Sequence, residues 1–91
     1  MNKDQDGYSA LTEYIKNQME SGTSVDKSIA QIKLALKFNI VPNDAFQEVL
    51  RVPFEELYNK IKLIAHDKGY AIIETEQAEL YCKSIYEALK K

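Results

Sequence analysis

The chain has 91 residues, which is enough for one domain and too few for a second hydrophobic core. Its composition, 45% hydrophobic and 29% charged, is that of a globular protein and excludes a chain that is disordered throughout. The formal net charge is −2, with acidic and basic residues spread evenly, which argues against the basic surface that nucleic-acid binding requires.

Helical periodicity begins after a polar N-terminus. Residues 1–6 are expected to be disordered, and residues 7–91 to form a single helical domain. A first helix is predicted over residues 9–21, and Gly22 is expected to end it in a left-handed conformation. Its apolar residues recur every three to four positions at Tyr8, Leu11, Ile15 and Met19.

The second predicted helix has the most regular apolar stripe. Thr23 or Ser24 can cap its N-terminus, and Asn39 is expected to end it as a left-handed residue. Because the stripe is so regular, we expect this helix at the centre of the bundle, with the first, fourth and last helices around it. The stripe consists of Val25, Ile29, Ile32 and Leu36, flanked by Ala35 and Phe38.

Two prolines bound a short third helix, predicted over residues 43–51. Pro42 marks its entry, and Pro53 ends it while also suiting the first turn of a fourth helix. Gly69 is expected to close that fourth helix. The expected buried residues are Phe46, Val49 and Leu50 on the third helix, and Phe54, Leu57, Ile61 and Ile64 on the fourth.

Residues 70–73 are too few for a stable helix, and the pattern leaves open whether they are extended or helical. We take them as an extended linker whose isoleucines fill the core. A last helix is predicted over residues 75–89, and strict alternation of apolar and polar residues is absent throughout. The fold class is therefore all-α, a compact bundle of four to five helices with one short proline-bounded helix.

Few residues could support catalysis. His66 is the single histidine and Cys82 the single cysteine, and no third group that would orient them is evident. One histidine and one cysteine do not make a tetrahedral metal site, and no glycine-rich phosphate loop is present. The sequence thus predicts no catalytic residues, no metal, no cofactor and no enzymatic activity.

The compartment is predicted from what the sequence lacks. Cys82 cannot form an internal disulfide, no apolar segment of signal-peptide length begins the chain, and no run approaches the roughly 20 apolar residues of a membrane span. We expect a cytoplasmic protein. A core of this size stabilises only modestly, so association with a protein partner, or with a second copy in a homodimer, is compatible with the sequence.

Residues 43–64 are similar to a helix-turn-helix motif. They form a short helix, a tight turn at residues 51–53 and a second helix, and the leading residues of the second helix would meet DNA. Those residues are Phe54, Glu55 and Glu56, and two carboxylates repel phosphates. A transcriptional regulator is therefore the alternative, and two helices that meet at a proline corner are the preferred interpretation.

Residues 57–89 resemble the C-terminal half of the small cytosolic immunity proteins that protect Gram-positive bacteria from class IIa-type bacteriocins. The similar features are YNKI at residues 58–61 with Ala65, a connector that contains Ile73, and a final helix that opens with ETEQAEL at residues 74–80. The resemblance implies a bacterial protein with an antiparallel four-helix bundle and no enzymatic activity. It implies recognition of a bacteriocin together with its membrane receptor. The short third helix departs from that pattern.

Contact residues follow from the same resemblance, which places specificity in the C-terminal portion. Carried over to this chain, they are Tyr70, Ile72, Tyr81 and Tyr86, and replacing either of the last two by alanine is expected to abolish activity without unfolding the domain. The competing interpretation is that these tyrosines cover a small core. A phage or mobile-element protein that binds and inhibits a host protein is equally compatible with this sequence.

Overall fold

The computed structural model describes residues 4–40 and 43–90. Within these ranges there is no strand, so the all-α prediction is confirmed, and no helix is long and apolar enough to cross a membrane. A short 3-10 helix (Ala71–Glu74) precedes the last of five α-helices. The α-helices are α1 (Asp4–Glu20), α2 (Val25–Lys37), α3 (Asn43–Val49), α4 (Phe54–Lys68) and α5 (Glu76–Lys90).

The helix α1 begins earlier than its apolar pattern predicts. It starts at Asp4, so it extends into the segment for which the sequence predicts disorder. Polar residues can prolong a helix that packing has already started further along the chain. The expected disorder of residues 1–3 and the expected role of Pro42 concern residues outside the described ranges.

The prediction that α2 lies at the centre of the bundle is wrong. The central helix is α1, which contacts α3, α4, the 3-10 helix and α5, whereas α2 packs mainly against α5. Leu11, Thr12 and Ile15 of α1 are all buried, but only Ser28 and Ile32 of α2 are. A regular apolar stripe indicates which face of a helix is buried and does not indicate how many neighbours the helix has.

One apolar core joins the helices. Phe46, Val49 and Leu50, the residues expected to face inward on α3, are all buried. The domain is 21 Å along its shortest axis, about two helix diameters, so every helix can reach this core with one face. The largest fully buried side chains are those of Phe46, Leu11, Ile15, Ile32, Leu57, Ile61, Ile73 and Ile85.

Three helices end in the same way. Gly22, Asn39 and Gly69 follow α1, α2 and α4 with φ of 73°, 57° and 77°, so all three predicted left-handed ends are confirmed. After α4, the Tyr70 N–H donates to the Ala65 carbonyl oxygen over 2.8 Å, and equivalent bonds close the other two helices. This is the hydrogen-bond pattern of the Schellman motif.

Side chains cap the N-termini of two helices, and the cap of α2 is one that the sequence predicts. Ser24 accepts a hydrogen bond from the Lys27 N–H over 3.3 Å at the start of α2, and Thr75 accepts one from the Ala78 N–H over 3.2 Å at the start of α5. Pro53, with φ −59° and ψ 150°, lies just before α4 and not in its first turn. Its extended ψ sets the direction in which the chain enters the helix.

The prediction of an extended linker at residues 70–73 is wrong. The Ile73 N–H donates to the Tyr70 carbonyl oxygen over 3.0 Å, and the segment forms the 3-10 helix. The Tyr58 hydroxyl of α4 donates to the Ile73 carbonyl oxygen over 2.7 Å, and burial raises the pKa of Tyr58 to about 12. The Ile73 side chain is fully buried, as expected. A contact from α4 therefore stabilises a turn too short to be stable alone.

Candidate protein-binding surface

Tyr70, the first of the predicted contact residues, connects the end of α4 to α1. Its hydroxyl donates to a carboxylate oxygen of Glu13 over 2.6 Å, and the Lys68 ammonium donates to the same oxygen over 3.0 Å. These two bonds lower the pKa of the Glu13 carboxyl, and donation to the carboxylate raises the pKa of Tyr70. The Lys16 ammonium lies 4.7 Å from the centroid of the tyrosine ring. Both the hydroxyl and the ring of Tyr70 thus have partners within the fold.

Tyr81 connects α5 to the start of α2. Its hydroxyl donates to the Thr23 carbonyl oxygen over 2.8 Å and is also paired with the Ser28 hydroxyl. Because a tyrosine hydroxyl has one hydrogen, Ser28 is the donor in that pair. The Tyr14 hydroxyl of α1 donates to the Ser28 carbonyl oxygen, and burial raises the pKa of Tyr14. Three helices therefore meet at this cluster of hydroxyl groups.

Tyr86 and Ile72 complete the predicted set. Tyr86 is buried, and its hydroxyl donates to the Val52 carbonyl oxygen in the turn before α4 over 2.6 Å. Ile72 is half-buried and packs against the core. The three tyrosine hydroxyls of the predicted set thus bond to three different elements of the fold. Partner binding by these four residues stays a prediction.

His66 and Cys82 do not form a catalytic pair. The Cys82 thiol is buried in the core, whereas the His66 side chain is 77% exposed. The nearest acidic group to the imidazole is Glu74, with 3.7 Å between Nδ1 and Oε1. In the described parts of the chain, no group of three histidine, cysteine, aspartate or glutamate residues could hold a metal ion.

The burial of Cys82 predicts a chemically inert thiol. Desolvation, with a smaller effect of Glu79, raises the pKa of the thiol to about 12. Because the thiolate is the reactive form, we expect iodoacetamide to leave Cys82 of the native protein almost unmodified near neutral pH. The denatured protein should react at the rate of an ordinary thiol. Mass spectrometry after equal exposure times compares the two, and fast alkylation of the native protein would contradict the buried position.

A shallow hollow of about 430 Å³ lies beside α4. Its walls are formed by Asn59, Lys62, Leu63, His66 and Glu74. Sites for small ligands bury most of the ligand surface, and this hollow is open to solvent, with Leu63 68% exposed at its edge. It is therefore a weak candidate for a small-molecule site.

Exposed large apolar side chains are concentrated at the end of α2. Leu34, Phe38 and Ile40 are 54%, 63% and 75% exposed. In the rest of the described chain only Leu63 and Leu80 are comparable, and each lies on a different helix. Single exposed leucines are ordinary on protein surfaces, whereas a group of apolar side chains marks a binding surface.

These side chains form a row on the outward side of α2. At about 100° per residue, Ala30 and Leu34 point about 160° and 200° away from the buried Ile32. The Phe38 N–H donates to the Leu34 carbonyl oxygen over 3.0 Å, so Phe38 continues the row by one turn. We call Ala30, Leu34, Phe38 and Ile40 the α2 surface.

The end of α2 determines where Ile40 lies. Asn39 is left-handed, and the Ile40 N–H donates back to the Ala35 carbonyl oxygen over 2.8 Å. In a Schellman motif this bond holds the second residue after the cap against the last helical turn. The chain therefore turns back towards the helix at Ile40, and we count this residue as part of the α2 surface.

Lysines flank the α2 surface. Lys33 and Lys37 lie along one side of the row, and Lys27 lies near its beginning. None of the three forms an ion pair with a side chain of residues 7–40 or 43–90. The Lys37 ammonium is 5.8 Å from the centroid of the Phe38 ring. Asp26, in the first turn, is the only acidic residue of α2.

The contact residues predicted from the sequence do not include the α2 surface. Its signal is nevertheless present in the sequence, because Leu34 is a large apolar residue two positions from Ile32 and therefore lies off the buried stripe. Phe38 is different, because the sequence pattern places it beside the buried stripe, whereas its side chain is 63% exposed and extends the row from Leu34 by four residues.

No protein-family model, curated protein or solved structure matches the chain. The similarity of residues 57–89 to bacteriocin immunity proteins accordingly stays a prediction. The geometry of the described residues is the basis on which a function is proposed.

Proposed function

We propose that the chain is a protein-binding module without catalytic activity, and that the α2 surface is its docking site. The observation that supports this most directly is the group of three large apolar side chains, each more than half exposed, at the end of α2. Aromatic and aliphatic side chains that enter a partner's pockets supply much of the affinity of protein interfaces. The burial of the Cys82 thiol, while the His66 side chain is exposed to solvent, supports the non-catalytic part.

The size of the α2 surface predicts a weak complex. Covering the three exposed side chains contributes on the order of 1 to 2 kcal/mol each. Association costs at least about 4 kcal/mol in lost translational and rotational freedom. These three side chains alone therefore leave at most about 2 kcal/mol, well short of the roughly 8 kcal/mol of a micromolar complex, so the affinity must come in part from contacts with the neighbouring lysines and other residues around the row.

Replacing Leu34 and Phe38 together by serine tests the docking site. Both side chains are exposed, so the double variant should keep its circular dichroism spectrum and its midpoint of unfolding. Affinity capture from a nuclease-treated lysate of the source organism should recover one protein with the wild type and lose it with the double variant. Leu80→Ser, which changes an exposed leucine of α5, is the matched control and should retain capture.

Two results would overturn the proposal. Capture that survives the double substitution would show that the docking site lies elsewhere. Absence of any protein captured by the wild type would contradict protein binding itself.

Bacteriocin immunity is a more specific form of the protein-binding part of this proposal, with contacts in the C-terminal portion and not on α2. Its support is the resemblance of residues 57–89, which fall in α4, the 3-10 helix and α5. A bacterium sensitive to the bacteriocin should then survive it when it expresses the chain. Unchanged sensitivity would remove immunity and leave protein binding, since a mobile-element inhibitor of a host protein would use the same kind of surface.

A helix-turn-helix regulator is the alternative. The helices α3 and α4 flank a short turn, as that motif requires. Phe54, at the start of α4, is half-buried and stacks on Tyr58 with 5.8 Å between ring centroids, so it is not free to meet a base edge. Glu55 and Glu56 beside it are exposed. Protein binding is therefore favoured, and salt-sensitive binding to DNA at low ionic strength would reverse that preference.

A further inference from the structure

We infer that the partner of the α2 surface presents an acidic amphipathic α-helix that lies along α2, an inference that rests on the proposed function of this surface. The shape of the apolar row, the state of the α2 backbone and the charge of the flanking side chains support it independently.

The apolar row has the spacing of a helix–helix contact. Ala30, Leu34 and Phe38 are four residues apart, so the row runs about 12 Å along the helix axis. Rows of side chains at this spacing are the ridges that pack into the grooves of a second helix. The small Ala30 side chain lets the partner's backbone approach closely at one end, and Phe38 and Ile40 offer larger contacts at the other. A partner helix of about three turns covers the row.

The backbone groups at both ends of α2 already have hydrogen-bond partners within the chain. A partner protein is therefore recognised through the packing of side chains. Ser24 caps its N-terminus, and at its C-terminus the Ile40 N–H donates back into the last turn. No strand edge exists in residues 4–40 and 43–90, so a peptide cannot dock there by adding a strand. An amphipathic helix that packs its apolar side against the row is the recognition mode that fits.

The lysines that flank the α2 surface favour a partner helix with negative charge. Lys33 and Lys37 point about 100° and 140° from Ile32, on one side of Leu34. A docked helix would partly remove these ammonium groups from water, which costs free energy unless carboxylates meet them. Acidic residues beside the apolar stripe of the partner would supply such pairs, each worth up to about 1 kcal/mol near a surface.

A second copy of the chain is a poor occupant of this surface. If two α2 helices paired antiparallel about a two-fold axis, Lys33 and Lys37 would meet the same lysines of the other copy. In a parallel pair the two Lys27 side chains, which lie in line with the row, would face each other. Asp26 lies in the first turn, away from the Phe38 end, so like charges would face each other without compensation. Charge complementarity therefore points to a different protein with an acidic helix.

The test is a titration of the whole chain with two labelled synthetic peptides, followed by fluorescence anisotropy. Both peptides carry leucines at i, i+4 and i+7 on an alanine-rich helical background. One has glutamates beside the leucines and the other has lysines at those positions. We expect the glutamate peptide to bind about tenfold more tightly, with a difference that shrinks as salt is added.

Charge reversal on α2 supplies the matched variant. The double substitution Lys33→Glu with Lys37→Glu should reverse the preference between the peptides. Lys83→Glu, which changes an exposed lysine of α5 and none of α2, is the control and should leave the preference unchanged. The Leu34→Ser and Phe38→Ser double variant should lose both peptides.

Each remaining outcome overturns a defined part of the inference. Equal binding of the two peptides, or an unchanged preference after charge reversal, would overturn the acidic partner. If neither peptide binds while the serine variant still loses its captured protein, the docking site stands and the helix is overturned. Lysine-dependent binding to vesicles of phosphatidylglycerol and phosphatidylcholine without peptide binding would assign the surface to a membrane. Capture that does not depend on α2 would overturn the proposed function itself.

Discussion

Replacing Tyr86 by alanine should lower the free energy of unfolding by about 3 to 5 kcal/mol, the loss typical of a large aromatic side chain removed from a core. Only 7% of Tyr86 is exposed. Its ring centroid is 5.6 Å from that of Phe54, and its hydroxyl donates to the Val52 carbonyl oxygen over 2.6 Å. Alanine would remove both contacts and leave the turn between α3 and α4 without its connection to α5.

Urea unfolding followed by circular dichroism measures this loss, and Tyr86→Phe is the control. Phenylalanine keeps the ring and removes the hydroxyl alone, so we expect a loss of about 1 kcal/mol. An alanine variant with the wild-type midpoint would show that the fold does not need the ring. The expected result differs from the sequence-based expectation that this substitution spares the fold, and an unfolded variant could not report on partner binding.

Replacing Gly7 by alanine should lower the free energy of unfolding by about 1 to 3 kcal/mol, although alanine is the better helix former. A Cβ atom at Gly7 would lie 2.5 Å from the Ala45 carbonyl oxygen and 2.7 Å from Cγ2 of Val49. The carbonyl oxygen belongs to the backbone of α3 and cannot rotate away, so α1 and α3 would have to separate. That cost exceeds the gain of about 1 kcal/mol in helix propensity.

Asn17→Ala provides the comparison on the same helix. Asn17 is exposed, so alanine there gains helix propensity without meeting a neighbour and should raise the stability by a few tenths of a kcal/mol. Thermal or urea unfolding of both variants measures the two effects in parallel. A Gly7→Ala protein more stable than the wild type would show that α1 and α3 do not approach each other this closely.

The C-terminal ends of α1, α2 and α4 and the cap of α2 could be predicted from the sequence because their causes are local. A left-handed C-terminal residue is best supplied by glycine or asparagine, and Gly22, Asn39 and Gly69 occupy those positions. The caps Ser24 and Thr75 bond to backbone groups three residues further along the chain. Such signals lie within one or two helical turns, so they can be read before any tertiary contact is known.

The arrangement of the helices could not be predicted, because its causes are distant in sequence. Gly7 permits α3 to approach α1 closely, yet an isolated glycine near the start of a helix gives no indication of its neighbour. The 3-10 helix depends on the Tyr58 hydroxyl, which bonds to Ile73 fifteen residues later. The periodicity of α2 correctly predicts a buried Ile32 but not that the helix lies at the side of the bundle.

The residues of the candidate binding site also divide into those whose position depends on local causes and those whose position depends on distant ones. A tyrosine has an apolar ring and a polar hydroxyl, so the sequence does not say whether that hydroxyl meets a partner protein or another part of the same chain. For Tyr70 and Tyr81 the answer comes from Glu13 and Thr23, which lie more than fifty residues away along the chain. Leu34 differs, because its position off the apolar stripe is visible in the sequence.

The position of α2 at the side of the bundle has a thermodynamic consequence. Only two of its residues are buried, and its main neighbour is α5. Local opening costs least where an element has few buried contacts, so α2 is the helix expected to detach before the rest of the domain unfolds. A ligand that binds the outer side of α2 can bind only those molecules in which the helix is in place. Its apparent affinity is therefore lowered in proportion to the fraction of such molecules. Binding of such a ligand would make the local detachment of α2 less frequent, and through it would also stabilise the whole domain against unfolding.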